Sequence, residues 1–305
     1  MKDTHKKNQN TNKHLPVLLP DVLTYVDPKE GESYLDLTAG YGGHAEAILG
    51  RTLRFNHAYL VDRDQNAIDY LQTKFENQQV QIIHDDFLSA AKKLYDKGRK
   101  FDIILADLGV SSPHLDDANR GFSFMIDGPL DMRMDNRQSL TAADLVNTGS
   151  EAELADIFFA YGEEKRSRRY AKEIVKARPF TSTTQLADFV RKISPGFHKT
   201  HPATKIFQAL RIAVNNELGM LKEALPVWID LLNPGGRIAI ISFHSLEDRL
   251  VKEAFQTRAG NRYDAILQLI TKRPVVADRH EVVFNPRSRS AKLRVAAKIN
   301  TKKGE

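Results

Sequence analysis

The chain has no cysteine and no apolar run of transmembrane length among its 305 residues. Without cysteine there are no disulfides, no thiolate metal sites, no iron–sulfur clusters and no thiol nucleophile. The first residues, Met1-Lys-Asp-Thr-His-Lys-Lys, are polar and do not form a signal-peptide pattern. We therefore expect a cytoplasmic protein that does not enter a membrane.

The composition is that of a globular protein with a basic surplus. Hydrophobic residues make up 41% and charged residues 28%, and the formal net charge is +6 with a pI near 9.3. This charge favours an anionic partner, although it does not separate RNA from DNA or a membrane surface. The alternative is a basic protein without such a partner. Residues 1–13 are predicted to be a disordered basic tail.

Apolar runs alternate with helical patterns in the first third of the chain, which predicts an α/β fold with a mostly parallel sheet. The predicted strands are Tyr34–Thr38, Ala58–Asp62, Val80–Ile83, Phe101–Asp107, Arg237–Ser242, Ala265–Thr271 and Lys292–Ile299, the last two forming a closing pair. The predicted helices between the early strands are His44–Leu49, Asp64–Phe75 and Leu88–Lys97. Asn233-Pro-Gly-Gly236 is predicted to be a turn.

A helical insertion is predicted to interrupt this sheet domain. Ser150-Glu-Ala-Glu153 is a capping box, and helices are expected at Glu163–Ala177 and Gln185–Ile193. At about 90 residues the interval is too long for a loop. We assign residues 14–111 and 204–305 to the sheet domain and 112–203 to the insertion.

A glycine turn follows the first strand and predicts a nucleotide site. Gly40, Gly42 and Gly43 allow a tight backbone turn close to a ligand, and Asp36 lies beneath it. Such turns also occur where nothing binds. Asp62 ends the next strand about 20 residues on, where a carboxylate accepts both ribose hydroxyls, and an adenosine ligand is therefore favoured.

Because ligands of parallel sheets bind at the carboxyl ends of the strands, residues at these ends should converge. They are His44, Asp62, Asp86, Phe87 and Asp107. Phe87 would contact a flat ring and Asp86 an exocyclic amine, with a core aromatic as the alternative for Phe87. Asp107 should have a partner or a ligand, because an unpaired buried carboxylate is costly, or it caps the following turn.

Two features outside these strand ends suggest substrate contacts. One long helix is predicted from Ala203 to about Leu225, with a polar stripe of Gln208, Arg211 and Asn215 beside its apolar face. The stretch from Lys165 to Arg169 is basic, and Arg166, Arg168 and Arg169 would face phosphates if they are not simply solvated. No metal site is predicted, since the ten histidines show no close pairing.

Several long segments closely resemble the bacterial ribosomal RNA small-subunit methyltransferase H (MraW) family. They are His14–Leu19, Asp36–His44, Asp107–Ser112, Arg120–Phe124, Pro129–Asp135, His201–Arg211, Pro234–Arg237, Ser242–Arg249 and Asn285–Arg294. They extend from residue 14 almost to the end of the chain, so the resemblance is far more specific than a glycine turn.

This resemblance implies a Rossmann-like fold that methylates the N4 amine of a cytidine in the decoding region of 16S ribosomal RNA, using S-adenosyl-L-methionine. It implies that the insertion recognises the substrate, and it suggests a homodimer. Carried over by position, the cofactor contacts are Gly42, Gly43, His44, Asp62, Phe87, Asp107 and His114. Many family members have glutamine where this chain has His114.

The missing cysteine bears on the reaction itself. Methylation of carbon 5 of cytosine needs a cysteine nucleophile, so an exocyclic amine, a ring nitrogen or a ribose hydroxyl remains as acceptor. Direct in-line transfer to an amine needs a positioned acceptor for the growing positive charge. Asp107 is our candidate, with Ser111 or Asn215 assisting. Many amino methyltransferases place two prolines and an aromatic after this acid, whereas Leu108-Gly109-Val110 follows here, so Asp107 could serve only the cofactor.

Two other classes of function use some of the same features. A nicotinamide-dependent dehydrogenase would share the glycine turn and the ribose acid, but no hydride partner is evident. A binding module would need only the basic insertion. Methyl transfer to another nucleic acid or to a protein is a third alternative.

Overall fold

The computed structural model describes residues 16–110, 115–194, 196, 200–260 and 264–299. Its centre is a seven-stranded sheet in the order β3-β2-β1-β4-β5-β7-β6. The strands are β1 (Tyr34–Asp36), β2 (Ala58–Asp62), β3 (Gln81–His84), β4 (Phe101–Asp107), β5 (Leu232–Ser242), β6 (Leu267–Leu269) and β7 (Lys292–Lys298). The first five are parallel, and β7 pairs antiparallel with both β5 and β6. The predicted fold class, including the antiparallel closing pair, is confirmed.

Helices cover both faces of this sheet. Those before and between the early strands are α1 (Leu19–Val26), α2 (Gly43–Thr52), α3 (Gln65–Lys74) and α4 (Phe87–Asp96). Helices α1, α2 and α3 bury apolar residues on one face, where Tyr34 is fully buried. The opposite face packs on α4 and on two later helices, α10 (Glu217–Asp230) and α11 (Ser245–Gln256), around Trp228. Burial on both faces explains why the central strands read as continuous apolar runs.

A separate apolar cluster lies in the interval between β4 and β5. Its helices are α5 (Ala142–Thr148), α6 (Glu151–Gly162), α7 (Ser167–Ala177), α8 (Thr183–Ile193) and α9 (Ala203–Asn215). The cluster extends from Phe122 to Val214 and has Phe158 fully buried at its centre. The capping box at Ser150 and Glu153 is confirmed. The apolar face of α9 belongs to this cluster, so its core continues beyond residue 203. A short helix, α12 (Arg279–Phe284), precedes β7.

Three local predictions were wrong. The helix expected from Ala203 to Leu225 is broken at Asn216, whose φ of 47° is left-handed and cannot continue a helix. The helix expected to start at Glu163 starts at Ser167, because Glu163 also adopts a left-handed φ of 47° where α6 ends. The turn expected at residues 233–236 lies inside β5, as an irregularity in its pairing with β4.

None of the described helices is both long enough and apolar enough to cross a membrane.

Candidate functional site

One large cavity, of about 1240 Å³, opens at the carboxyl ends of β1, β2, β4 and β5. Ligand pockets of proteins commonly measure roughly 300–1,000 Å³, so the cavity has room for more than one small ligand. Residues from several parts of the chain line it, among them the segment that leads into α1, the glycine turn, the ends of the strands, the region between β4 and α5, the α9–α10 junction and a segment before β7. The convergence predicted from the strand ends is thus observed.

The glycine turn is fixed by the carboxylate at the end of β2. Gly40 donates its N–H to Asp62 Oδ2 at 2.8 Å, and Asp64 N–H donates to Asp62 Oδ1 at 2.9 Å. Both Gly40 and Asp62 line the cavity. Asp62 therefore stands where the sequence placed it, with its carboxylate shared between the turn and the cavity.

Asp36 and Gly42, both predicted to bind the cofactor, do not line the cavity. Asp36 is only 1% exposed and accepts hydrogen bonds from Tyr34 Oη at 2.7 Å and Thr38 N–H at 3.2 Å. Burial raises its pKa to about 7. Gly42 has a φ of 70°, and a Cβ there would lie 2.9 Å from Leu71 Cδ2 on α3. Both residues shape the turn from behind.

His44 does line the cavity, at the first turn of α2. Its Nε2 lies 2.9 Å from the carbonyl oxygen of Val17, which only accepts, so Nε2 carries the proton. Its unprotonated Nδ1 then faces Asp107 Oδ2 at 3.8 Å. Burial lowers the pKa of His44 to about 4, so the ring is neutral at pH 7.

Asp86 and Phe87 line the cavity as predicted, but both also have structural roles. Asp86 caps α4, and its Oδ1 accepts the N–H groups of Leu88 and Ser89 at 2.9 and 2.8 Å. The ring of Phe87 packs edge-on against Trp228, with the centroids 5.3 Å apart. Phe87 is therefore a core aromatic with one edge at the cavity, which was the alternative considered for it.

Asp107 lines the cavity at the end of β4. Its N–H donates to Thr38 Oγ1 at 2.6 Å, while its Oδ1 is buried without a hydrogen-bond partner in the described part of the chain. Burial, together with the charges of Asp36 and Glu247, raises the pKa of Asp107 well above its ordinary value. A buried acceptor without a partner is the group that a ligand bearing N–H donors would satisfy.

Arg211 and two glutamates, Glu217 and Glu247, also line the cavity. Arg211 donates from Nε and Nη2 to the two oxygens of Glu217 at 2.9 and 2.8 Å. Glu247 accepts the N–H of Phe243 at 2.8 Å and lies 3.2 Å from His244 Nε2. Although burial opposes it, His244 and Arg211 lower the pKa of Glu247. Arg211 thus lines the cavity, and its guanidinium is paired with Glu217.

Glu217, His244 and Glu247 lie close enough together to hold a metal ion. Two contacts oppose this. Arg211 already neutralises Glu217, and His244 Nδ1 accepts the N–H of Glu247 at 3.4 Å, which leaves the proton on Nε2 and removes it as a ligand. We therefore assign no metal to this cluster.

The other two residues of the polar stripe do not line the cavity. Asn215, a candidate catalytic residue, is only 3% exposed and holds the loop before α5. It accepts the N–H of Met134 at 2.8 Å and donates to the carbonyl of Met132 at 2.8 Å. Its contact with the site is thus indirect, through Met134, which lines the cavity. Gln208 donates to the carbonyl of Tyr161 at 3.0 Å.

The remaining predicted residues lie outside the cavity or outside the described chain. Arg166, Arg168 and Arg169 are exposed on and before α7 and do not line the cavity. Arg169 donates to the carbonyl of Ile193 at 3.0 Å. Ser111 and His114, like the tail at 1–13, lie outside the described residues.

The sequence reasoning missed several lining residues. Phe243 and Glu247 follow β5, and the strand-end rule could have included them. Gly109, with a φ of 95°, comes close to Phe243: a Cβ there would lie 3.4 Å from the ring. Arg287 and Ser290 also line the cavity, and their position before a closing strand carried no signal.

Comparisons with known proteins show the family of the chain. Residues 11–299 match the model of the MraW methylase family. The protein named ribosomal RNA small subunit methyltransferase H from Cyanothece sp. strain PCC 7425 is 47% identical over 298 residues, covering 95% of this chain and 96% of its own. The protein of the same name from Heliobacterium mobile is 44% identical, covering 94% of this chain and 99% of its own.

Solved structures are more distant. A putative rRNA methylase from Clostridium thermocellum is 13% identical with a TM-score of 0.45, covering 94% of this chain and 98% of its own. A putative methyltransferase from Streptococcus mutans, solved with SAH, is 11% identical with a TM-score of 0.42, covering 94% of this chain and 100% of its own. The match over nearly the whole sequence decides the matter, and the chain belongs to the MraW methylase family.

Proposed function

We propose that this methylase transfers the methyl group of S-adenosyl-L-methionine directly to the N4 amine of a cytidine in the decoding region of 16S ribosomal RNA. The observation that carries the proposal is Asp107 Oδ1, a buried acceptor without a described partner at the wall of the cavity. An exocyclic amine supplies the N–H donor that this oxygen lacks. The names of the relatives supply the ribosomal RNA as substrate.

The cavity suits a cofactor that carries an adenosine and a cationic sulfonium. Gly40 and Gly43 bring the backbone to its surface, and Asp62 presents a carboxylate for ribose hydroxyls. Glu247, whose pKa is lowered by His244 and Arg211 against the effect of burial, supplies negative charge to the same space. The bound cofactor supplies an electrophilic methyl group, and the chain's own residues hold and orient the two reactants.

We assign Asp107 as the group that stabilises positive charge as it develops on the amine nitrogen. In-line transfer leaves the amine nitrogen with one proton too many, and a carboxylate with a raised pKa is a suitable acceptor for it. Ser111 remains a proposed assistant. Asn215 remains a proposed assistant only as a positioning residue that acts through Met134.

We place the substrate RNA on the insertion, residues 112–203, with Arg166, Arg168 and Arg169 as phosphate contacts and Arg211 at the cavity. His114 is proposed as a further cofactor contact, the cytoplasm as the location and a homodimer as the assembly. The sheet domain, residues 14–111 and 204–305, holds the cofactor.

The test uses small ribosomal subunits from cells that lack this protein. Labelled methyl from S-adenosyl-L-methionine should appear in N4-methylcytidine after nucleoside digestion. The variant Asp107→Asn should lose at least about 100-fold in transfer rate, the range in which a positioned charge-stabilising or proton-accepting group acts, while calorimetry still detects cofactor binding.

Two other outcomes are informative. Label in another nucleoside would refute the N4 assignment. If Asp107→Asn lost cofactor affinity and kept its turnover at saturating cofactor, Asp107 would be only a cofactor ligand.

A further inference from the structure

Residues 272–290, here called the basic segment, were not assigned to any function by the sequence. They connect β6 to β7 and include α12. Five lysines and arginines stand against two acids in this segment, in a chain whose net charge is +6. Such a concentration of positive charge on one short segment is the electrostatic pattern of a phosphate-binding surface.

The basic segment is anchored beside the cavity. Leu18 N–H donates to Glu281 Oε1 at 2.7 Å, and Val275 pairs with Leu293 of β7. Arg287 makes a 2.6 Å ion pair with Asp116, and both residues line the cavity. The inner side of the segment therefore forms part of the cavity wall, and its position is fixed from two directions.

Its outer side exposes apolar and aromatic surface. Phe284 is 65% exposed and Val283 is 72% exposed. The ring of His280 lies against that of Phe284, with the centroids 4.6 Å apart. Large apolar side chains exposed together mark an interaction surface.

Two arginines of the basic segment are available to a ligand. Within the described chain, neither Arg279 nor Arg289 makes an ion pair or side-chain hydrogen bond, and both are exposed. The two acids are committed elsewhere: Asp278 caps α12 by accepting the N–H of Glu281 at 2.7 Å, and Glu281 holds Leu18. The basic segment thus presents two exposed arginines without an ionic partner in the described chain, and an exposed aromatic ring that contacts His280 on one side.

This combination fits single-stranded RNA better than a second protein chain. Nucleic-acid bases stack on exposed aromatic rings in a way that tolerates any sequence, while arginines contact the phosphates. A second copy of this chain packed on the same face would oppose like charges. A nucleotide that enters the cavity also needs its neighbours to pass over the cavity rim, where the segment lies.

We propose that the basic segment binds the RNA strand flanking the acceptor nucleotide, with Phe284 as a stacking platform and Arg279 and Arg289 as phosphate contacts. This proposal rests on the proposed function, because it assumes an RNA acceptor in the cavity. It gives the substrate a second contact surface, on the sheet domain and apart from the arginines of the insertion.

The experiment compares methyl transfer to small ribosomal subunits by Phe284→Ala and Arg279→Glu with that of the unaltered protein. Phe284→Ala should raise KM for the subunits about tenfold, as expected for the loss of one stacked base, and leave kcat unchanged. Arg279→Glu should raise KM and reduce the salt dependence of log KM by about 1. Cofactor affinity by calorimetry and the thermal midpoint should stay unchanged in both.

Matched controls lie on the opposite side of the sheet domain. Tyr95, 47% exposed, and the exposed Lys97 stand at the end of α4, beside the amino ends of the strands. Tyr95→Ala and Lys97→Glu remove an exposed ring and reverse an exposed charge without touching the basic segment. Both controls should keep the KM of the unaltered protein.

The outcomes separate this proposal from the function on which it rests. If the unaltered protein methylates subunits and both segment variants keep its KM, the basic segment is not an RNA surface and the function stands. If the unaltered protein transfers no methyl to subunits, both proposals fail. If sedimentation shows that Phe284→Ala converts a dimer to a monomer, the surface is a protein interface and the RNA assignment is wrong.

Discussion

At the residue scale, the carboxyl groups of the fully buried Asp36 and the half-buried Asp107 have different roles near the glycine turn. Asp36 and Asp107 lie at the ends of adjacent strands, β1 and β4, and burial together with the nearby Asp36 raises the pKa of Asp107. Asp36 shares hydrogen bonds with Tyr34 and Thr38, whereas Asp107 Oδ1 has no described partner. The satisfied carboxyl supports the turn and the unsatisfied one is available to a ligand.

Asp36 makes the stability of the protein depend on pH. The unfolded carboxyl loses its proton near pH 3.8, whereas burial keeps it in the folded chain up to about pH 7. The stabilisation by this group is complete below pH 3.8 and is lost as the pH rises through 7. The free energy of unfolding of Asp36→Asn minus that of the unaltered protein should therefore be about 1–3 kcal/mol larger at pH 8 than at pH 5.

Urea denaturation of both proteins at pH 5 and pH 8 measures this difference. Asp69→Asn on α3 is the control, since it makes the same substitution at an exposed position. Equal differences at the two pH values would mean that Asp36 is ionised throughout and that its burial is offset by its two donors.

At the scale of the element, helix α2 shows how neighbouring glycines serve different purposes. A Cβ on Gly43 would lie 2.6 Å from Pro16 Cγ, and both residues line the cavity. A Cβ on Gly50, in the same helix, would meet no atom within 4 Å. The first glycine is required by a close approach, and the second is not.

Replacing these two glycines by alanine should therefore have opposite effects on the stability of the protein. Gly50→Ala should stabilise the protein by about 0.4–1 kcal/mol, because alanine restricts the unfolded chain and fits the helix. Gly43→Ala should destabilise it and weaken cofactor binding, because Pro16 and Val17 must move away from the cavity. Thermal unfolding measures the change in stability and calorimetry the change in cofactor binding. If Gly43→Ala stabilised the protein, Pro16 would be able to move away from the new methyl group without cost.

Sequence patterns located most elements correctly because their signals are local. The apolar runs gave β2 and β4 to the residue, and the capping box located α6. The break at Asn216 had no such signal, because its left-handed backbone depends on how α9 and α10 pack on different cores. That break changes the site, since it turns Glu217 towards Arg211.

At the scale of the whole molecule, the chain has a helical core distinct from the two cores of the sheet. Phe158 is fully buried and belongs to the helical core, not to either core of the sheet. Phe158→Ala should destabilise the helical core by about 3–5 kcal/mol, the usual range when a buried phenylalanine is replaced by alanine. Because the cores are separate, the loss should appear as local opening of α6 to α9.

Hydrogen exchange measures this directly. Amides of α6 to α9 should exchange faster in Phe158→Ala, while those of β1, β2 and β4 keep their protection, and cofactor affinity should change little. The conservative Phe158→Leu should lose less protection in the same helices. A uniform loss of protection across the sheet would show that the two parts unfold as one unit.

The sequence by itself determined the α/β class, the glycine turn with Asp62, the position of Asp107 at a strand end and the family of the chain. These follow from short apolar runs and from motifs whose residues are close neighbours in the sequence. The tertiary structure alone decided which polar residues face the cavity. Asn215 turns to the loop at Met134, Asp36 lies below the turn, and the basic segment reaches the cavity rim through a bond between residues 263 positions apart. Contacts at such separations depend on how whole elements pack, and no local pattern in the sequence encodes them.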